Sequence, residues 1–282
     1  MRTKKTINTL ATITISVIST YFLMGVSATT QSVQPQTAAN LQYQVGGTLY
    51  MQKAAEYRSL AYQAFNLARL RLDADLDKKN VKKLPKAERG MPRAIVVDID
   101  ETILDNSPAQ AYSIANNAPF NLKDWYAWGE MRKAKAVPGA VAFLNYAVSK
   151  GAKIFYVSNR DEVQKQATID NLKNVGLTDV GNDNVILRAG ESSKEARRTA
   201  IAKTYRIVML MGDNLDDFSN VFEKRSIADR FAETDKAREN FGRNFIVLPN
   251  AMYGTWENAI YEYGRLSEAQ KAEKRMSALE LP

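Results

Sequence analysis

Five short, continuously apolar runs alternate with helical stretches from residue 94 onward, and this pattern constrains the fold more than any other feature. Strands that are buried on both faces lack the polar alternation of half-exposed strands. The runs therefore predict a mainly parallel sheet covered on both faces by helices, an α/β three-layer, Rossmann-like architecture. The predicted strands are residues 94–99, 153–158, 184–188, 206–212 and 244–248, and the main covering helices are residues 139–150, 161–175 and 193–204.

The N-terminal region has the composition of an export signal. Three basic residues precede a long apolar stretch, and residues 26–28 have the small-x-small pattern of a cleavage site. We expect residues 1–28 to be a signal peptide and residues 29–45 a flexible leader. A retained membrane anchor is the alternative, but the many Thr and Ser residues favour cleavage. The mature protein is then periplasmic or secreted without a stable membrane anchor, and the lack of Cys rules out a lipoprotein.

Helical segments are expected on both sides of the sheet-forming region. Apolar residues recur near helical spacing from residue 49 to 76, which predicts one long helix or a broken pair. A basic cluster with Pro and Gly then indicates a linker, so residues 46–92 form an N-terminal helical segment and linker. The core is expected over residues 93–265 and a C-terminal helix over residues 266–282.

The absence of two residue types excludes several classes of enzyme. The 282 residues contain no Cys and no His, so catalysis cannot use a thiolate, an imidazole or a His ligand. Histidine acid phosphatases, cysteine phosphatases and Ser-His-Asp hydrolases are therefore excluded. The net charge of +8 is interleaved with acidic residues, so binding to a nucleic-acid polymer is not expected.

Acidic and polar residues cluster directly after the predicted strands. Ligands of such sheets bind beyond the carboxyl ends of the strands, so these residues are expected to meet at one edge. Clustered carboxylates repel one another unless a cation neutralises them, and oxygen ligands suit Mg²⁺. The residues are Asp98, Asp100 and Thr102 after the first strand, Ser158, Asn159 and Arg160 after the second, Asp213, Asp216 and Asp217 after the fourth, and Lys194 after the third.

Four motifs, in this order, resemble those of the haloacid dehalogenase superfamily: DIDET (98–102), YVSNR (156–160), Lys194 and GDNLDDF (212–218). With VVDIDETILDNSP (96–108) and LPNAMYGTWE (248–257), the chain more closely resembles the class C (DDDD) bacterial acid phosphatases and their surface nucleotidase relatives. The resemblance implies a haloacid dehalogenase-type fold with a small helical cap, here an insertion at about residues 107–136.

The resemblance also implies roles for these residues. Asp98 would be the nucleophile that forms an aspartyl-phosphate, and Asp100 the general acid and base. Ser158, Asn159 and Lys194 would bind the phosphate. Asp98, the Asp100 carbonyl and Asp213 would hold Mg²⁺, with Asp217 as a further ligand or orienting group and Asp216 as its rival.

Three charged neighbours allow two interpretations each. Glu101 and Asp105 fit a turn or capping role about as well as a substrate contact. Arg160 could form a structural ion pair or help to bind phosphate. The sequence alone does not choose between these interpretations.

Aromatic residues near the expected site could stack on a nucleobase or a nicotinamide ring. Most of them are expected to be core or dimer contacts, with Trp125 and Tyr253 predicted as the substrate-facing exceptions. Relatives often have a Tyr after DNSP, where this chain has Ala109, so one aromatic residue near the expected site is missing.

The sequence therefore predicts an exported, Mg²⁺-dependent acid phosphatase that hydrolyses phosphomonoesters, including nucleoside 5′-monophosphates. A phosphotransferase that uses the same phosphoenzyme and a non-catalytic exported nucleotide-binding protein are the alternatives. No G-x-G-x-x-G or P-loop motif supports a dinucleotide-binding or P-loop enzyme. The family resemblance suggests a homodimer.

Overall fold

The computed structural model describes residues 41–282, so the predicted signal peptide and most of the predicted leader lie outside the described residues. Within them, no helix combines the length and apolar character needed to span a bilayer. The strands are β1 (Arg93–Val97), β2 (Leu104–Asp105), β3 (Lys135–Ala136), β4 (Lys153–Asp161), β5 (Val185–Arg188), β6 (Arg206–Gly212) and β7 (Phe245–Val247). The helices are α1 (Val45–Lys53), α2 (Ala55–Leu76), α3 (Lys78–Val81), α4 (Ser107–Ala115), α5 (Leu122–Met131), α6 (Ala140–Ser149), α7 (Lys165–Asn174), α8 (Glu195–Ala202), α9 (Ile227–Lys236), α10 (Thr255–Ile260) and α11 (Glu268–Ser277).

The five predicted strands form one sheet in the order β5-β4-β1-β6-β7. Every neighbouring pair is parallel, which confirms the α/β prediction. The central strand β1 is apolar and buried along almost its whole length, because helices cover both faces. Its position between β4 and β6 brings the residues that follow these three strands to one edge of the sheet.

The main core lies between the sheet and helices α2 and α6. Helix α2 presents a buried face of Ala, Phe and Leu residues at helical spacing, and the rings of Phe65 and Phe143 lie 6.0 Å apart. The N-terminal helical segment therefore shares the core of the sheet. It is a broken pair, since Ala54 between α1 and α2 has extended backbone.

The predicted leader ends too late. Residues Leu41–Gln44 form a 3-10 turn in which Leu41 is buried, and the Gln44 side chain accepts a hydrogen bond of 2.7 Å from Gln110 Nε2. Residues 41–45 therefore belong to the folded unit, because they pack against helix α4.

The helix predicted from residue 161 begins later, at Lys165. Strand β4 continues to Asp161, which pairs with Arg188 of β5 in the sheet and accepts a hydrogen bond of 2.9 Å from its Nε. A 3-10 turn at Glu162–Gln164 then leads into α7. The cross-strand contact thus overrides the local helical pattern.

The insertion after β1 forms a small helical cap of α4 and α5. The short strands β2 and β3, which precede and follow these two helices in the chain, pair in antiparallel orientation. At the other end of the chain, α11 begins with a capping box between Ser267 and Gln270. It is joined to the N-terminal turn by Arg275, whose guanidinium carbon lies 3.6 Å from the centre of the Tyr43 ring.

Candidate active site

Two buried acids, Asp98 and Asp217, contact one lysine at the carboxyl edge of the sheet, and the half-buried Asp213 lies beside them. Asp98 follows β1, Asp213 and Asp217 follow β6, and oxygens from the three carboxylates lie within 4.8 Å of one another. Lys194, at the start of α8, donates to Asp98 and to Asp217 Oδ1 at 2.6 Å. Asp98 and Lys194 are only 7% and 6% exposed, so this charge cluster is largely removed from water.

Burial sets the protonation of this cluster. Burial raises the pKa of Asp98 well above its usual range; the Lys194 ammonium opposes this shift, whereas Asp217 and Asp213 add to it. Burial, reinforced by Asp217, raises the pKa of Asp213 to about 7. Burial alone would lower the pKa of Lys194, but Asp217 and Asp98 outweigh it and raise the pKa. The Lys194 ammonium is therefore shared by Asp98 and Asp217, and Asp213 lies beside this pair.

The same cluster fits a hard divalent cation. Its donors are all carboxylate oxygens, which is the ligand type that Mg²⁺ prefers. Three carboxylates with one ammonium leave an excess of negative charge in a buried place, and a metal ion would neutralise it. Asp98, Asp213 and Asp217 are the residues that would hold such an ion.

The chain leaves the strand after Asp98, and Asp100 points to a different set of partners. A bidentate contact joins it to Arg160, whose Nη2 lies 2.7 Å from Asp100 Oδ1 and whose side chain is 1% exposed. Asn106 Nδ2 donates to Asp100 Oδ1 at 2.8 Å, and Ser158 Oγ to Oδ2 at 3.4 Å. The Asp100 carboxylate is thus held by three hydrogen-bonding neighbours, and Arg160 takes the ion-pair role.

Glu101 is a fully buried acid that connects three loops. It has a left-handed backbone with φ of 59° and no exposed surface. The backbone N–H of Asn106 donates to its Oε1 at 2.7 Å, and the Tyr253 hydroxyl donates to its Oε2. Burial, with Asp100 and Asp213 nearby, raises the pKa of Glu101 well above its usual range. Glu101 therefore has a structural role, in which it connects these loops, rather than a role as a substrate contact.

The structure separates the two neighbouring acids after β6. Asp217 is buried and faces Lys194, whereas Asp216 pairs with Arg230 at 3.1 Å. The backbone N–H of Asn214 donates to Asp217 Oδ2 at 3.0 Å, which fixes the carboxylate of Asp217. Asp217, not Asp216, therefore joins Asp98 and Asp213 in the acidic cluster.

Two residues without a predicted role in the site donate hydrogen bonds to the Asp213 carboxylate. Thr102 Oγ1 donates to one carboxylate oxygen at 3.3 Å, and Asn250 Nδ2 donates to the other at 2.8 Å. Thr102 lies in DIDET and Asn250 in LPNAMYGTWE. Their positions in these two motifs are the sequence feature that could have predicted a role in the site. Asp105 has a turn role, since its carboxylate accepts from the Ser107 N–H at 2.9 Å.

Ser158 and Asn159 lie differently. Ser158 is buried beside Asp100, whereas Asn159 is exposed. Arg197 Nη2 donates to Asn159 Oδ1 at 2.6 Å, and Arg197 Nη1 donates to the Ser158 carbonyl at 2.7 Å. Arg197 thereby joins the carboxyl end of β4 to helix α8, and the Asn159 side chain is turned toward Arg197.

The predicted substrate aromatics both lie next to the acidic loops. Trp125 of the cap is half-buried, and the Arg160 guanidinium carbon lies 5.3 Å from its ring centre. Tyr253 is half-buried and reaches Glu101. A third aromatic, Trp128, donates from Nε1 to Asn106 Oδ1 at 2.8 Å, so it braces the cap on the first loop.

Comparison with known proteins gives concordant findings. Residues 4–256 match the family model described as "HAD superfamily, subfamily IIIB (Acid phosphatase)". The chain is 38% identical to the class C acid phosphatase from Bacillus anthracis, with 86% of this chain and 98% of that chain covered and a TM-score of 0.79. A structure of the same protein with tungstate bound matches with the same identity and coverage and a TM-score of 0.80.

A plant relative is more distant. The chain is 27% identical over 128 residues to "Acid phosphatase 1" of Solanum lycopersicum. The match covers 43% of this chain and spans half of the length of that relative.

Proposed function

Since the chain belongs to subfamily IIIB of the HAD superfamily, the acid phosphatases, we propose that it is an exported, Mg²⁺-dependent acid phosphatase that hydrolyses phosphomonoesters. The observation that carries this proposal is the shared contact of Lys194 with Asp98 and Asp217 in a buried, acidic site. A lysine and carboxylates at the carboxyl edge of a parallel sheet are suited to a phosphate group and a metal ion together.

In the proposed reaction, an Asp98 oxygen attacks phosphorus and the bond between phosphorus and the ester oxygen breaks. Asp100 gives its proton to the departing alkoxide, so that an alcohol leaves and an aspartyl-phosphate remains. Water then attacks the phosphorus, Asp100 takes a proton from that water, and the bond to Asp98 breaks. Inorganic phosphate is released and both carboxyl groups return to their starting states.

Arg160 supports the role of Asp100 by fixing where its proton is delivered. The bidentate contact holds the carboxyl plane, while Oδ2 stays on the side of Ser158. An acidic pH optimum remains an expectation from the family resemblance.

A divalent metal, when bound by Asp98, Asp213 and Asp217, would screen the repulsion between a carboxylate nucleophile and a phosphate dianion. Lys194 would neutralise further charge on the phosphoryl oxygens, and Ser158 would donate to one of them. Asn159 would join this phosphate-binding group after turning from Arg197. The binding of tungstate, a tetrahedral oxyanion like phosphate, by the class C relative supports this arrangement.

Nucleoside 5′-monophosphates are proposed to be among the esters that the protein hydrolyses. Trp125 of the cap lies against Arg160, and Tyr253 of the late loop reaches Glu101, so both aromatic residues are beside the acidic loops. Stacking of one base on an aromatic side chain contributes roughly 1–3 kcal/mol. The remaining features, export by a cleaved signal peptide and assembly as a homodimer, stay predictions from the sequence and its resemblance.

The test is phosphate release from nucleoside monophosphates, nicotinamide mononucleotide, and aryl and sugar phosphates, with Mg²⁺ or with chelator. We expect chelator-sensitive turnover that is abolished in Asp98→Asn with the fold retained, and unaffected in Asp235→Asn, which changes an exposed acid of α9. Full activity of Asp98→Asn would exclude Asp98 as the nucleophile.

Two outcomes would favour the alternatives. Phosphorylated glycerol or nucleoside among the products, when these acceptors are present, would indicate phosphotransfer. Tight nucleotide binding without turnover of any ester would indicate a binding protein.

A further inference from the structure

Two short segments carry the net positive charge of the chain, and the larger share lies in residues 77–93. The whole chain has a net charge of +8. Residues 1–28 contribute three basic residues and no acidic residue, while residues 77–93 contain seven basic and two acidic residues. These two segments therefore account for +3 and +5, and all other residues together are neutral.

Six cations of that segment are exposed and have no acidic partner. We refer to Lys78, Lys79, Lys82, Lys83, Lys86 and Arg89 as the basic segment; all six are exposed. Their polar contacts are to neutral groups: Lys83 donates to the Asn80 amide oxygen and Arg89 to the Leu84 carbonyl. Across residues 41–282, no carboxylate lies within the 4.0 Å ion-pair distance of these six side chains.

The local structure places four of these lysines on one side of a helical turn. Helix α3 continues as a turn to Leu84 through backbone hydrogen bonds such as Lys82 N–H to the Lys78 carbonyl. Lys78 and Lys82 are four residues apart, as are Lys79 and Lys83, so each pair shares a face. Like charges at this spacing repel each other and destabilise a helix, and an anionic surface would relieve that repulsion.

The basic segment lies at the opposite edge of the sheet from the candidate active site. It leads directly into Arg93, the first residue of β1, whereas Asp98 follows the last residue of that strand. Asp75, near the end of α2, contacts both Arg93 and Arg206, the first residues of β1 and β6. The end of α2 and the start of the basic segment are therefore beside the amino ends of the central strands.

We propose that the basic segment docks the protein on an anionic phospholipid bilayer with the catalytic edge facing away from the membrane; this orientation rests on the proposed active site. The six cations are exposed, which suits mobile lipid head groups rather than one rigid ligand. Five of the six are lysines, which act as point charges without the fixed fork of arginine. The attraction between basic residues and an anionic bilayer is electrostatic, so the contact is reversible and sensitive to salt.

The test is flotation of the full-length mature protein with vesicles of phosphatidylcholine alone or mixed with phosphatidylglycerol. We compare the wild type with a variant in which Lys78, Lys79, Lys82 and Lys83 are changed to Gln. The matched control changes four other exposed lysines, Lys133, Lys173, Lys224 and Lys236, to Gln, so both variants lose the same net charge. Turnover of a soluble phosphomonoester is measured in every sample.

We expect binding only to vesicles that contain phosphatidylglycerol, at least a tenfold loss in the basic-segment variant, and less than a twofold loss in the control. Binding should fall as salt rises from about 0.02 M to about 0.5 M, and bound enzyme should keep its turnover. Equal losses in both variants, binding to neutral vesicles, or binding to soluble polyphosphate but not to vesicles would overturn the proposal. A wild-type protein that does not bind vesicles but keeps full turnover would overturn only this inference. A wild-type protein that shows no turnover in the absence of vesicles would contradict the proposed function.

Discussion

The hydroxyl of Tyr253 donates a hydrogen bond to the buried carboxylate of Glu101, a residue 152 positions earlier in the chain. Glu101 follows Asp100 directly, so this contact links a predicted substrate aromatic to the loop of the predicted general acid. The same carboxylate accepts from the Asn106 N–H, and Asn106 in turn accepts from Trp128 of the cap. A single buried acid therefore connects the first loop, the cap and the late loop.

Changing Tyr253 to Phe tests this connection while keeping the aromatic ring. The buried Glu101 Oε2 would keep only the longer contact of 3.4 Å from Asn106 Nδ2, so we expect a loss of roughly 1–3 kcal/mol in the free energy of unfolding. The KM for a nucleoside monophosphate should rise several-fold more than that for a simple sugar phosphate, because the ring is less well positioned. Steady-state kinetics and denaturant unfolding measure both effects, with Tyr112→Phe on the exposed face of the cap as the control. Identical behaviour of the two variants would show that the hydroxyl positions nothing.

Changing Lys194 to Met tests the central charge of the site. Without the ammonium, Asp98 and Asp217 repel each other in a buried place, so we expect turnover to fall by at least about 100-fold. Added Mg²⁺ should raise the Tm of this variant more than that of the wild type, because a metal ion would relieve the same repulsion. Thermal unfolding with and without Mg²⁺ provides the measurement, with exposed Lys173→Met as the control. A smaller Mg²⁺ effect in the variant would contradict a shared cation site.

Changing Gly47 to Ala tests the packing of α1 against the late loop. An added Cβ would lie 2.2 Å from the Ala251 carbonyl oxygen, whereas at Gly46 it would meet nothing within 4 Å. We expect Gly47→Ala to lower stability and turnover, since the displaced loop carries Asn250 and Tyr253. Gly46→Ala, in the same helix, should be neutral or slightly stabilising. Melting curves and activity assays of both variants decide the point, and equal stability of the two would show that the loop moves freely.

Asp75 provides a stability prediction that depends on pH. Burial tends to raise the pKa of Asp75, but hydrogen bonds from Arg206 and Arg93 outweigh it and hold the pKa below its ordinary value. A lowered pKa in the folded state means that the stabilisation is complete above the unfolded value of about 3.9 and is lost as the pH falls through the folded value. We therefore expect Asp75→Asn to unfold more easily by roughly 1–3 kcal/mol at about pH 7 and to approach the wild type in strong acid.

Urea unfolding over a series of pH values checks this expectation. The control is Asp235→Asn, an exposed acid outside this ion pair. A stability difference between Asp75→Asn and the wild type that stays constant into strong acid would show that the charge of Asp75 is not what the two arginines recognise.

The sequence by itself determined the sheet and the place of the acidic site. Continuous apolar runs bury both faces of a strand, so five such runs could form only a covered, mainly parallel sheet. The acids after β1 and β6 then had to meet at the edge where those strands end. Local signals also placed the main covering helices, with an error at Asp161, where a contact with another strand extended β4.

Only the tertiary structure decided what neighbouring side chains do. Asp216 and Asp217 are adjacent and chemically identical, and they differ because Arg230 lies beside one and Lys194 beside the other. The ion pair of Arg160 with Asp100 and the contact of Glu101 with Tyr253 likewise join residues far apart in the chain. The spacing of residues along a chain reports which strand or helix face they share, whereas the pairing of buried charges depends on which loops the packed sheet brings together.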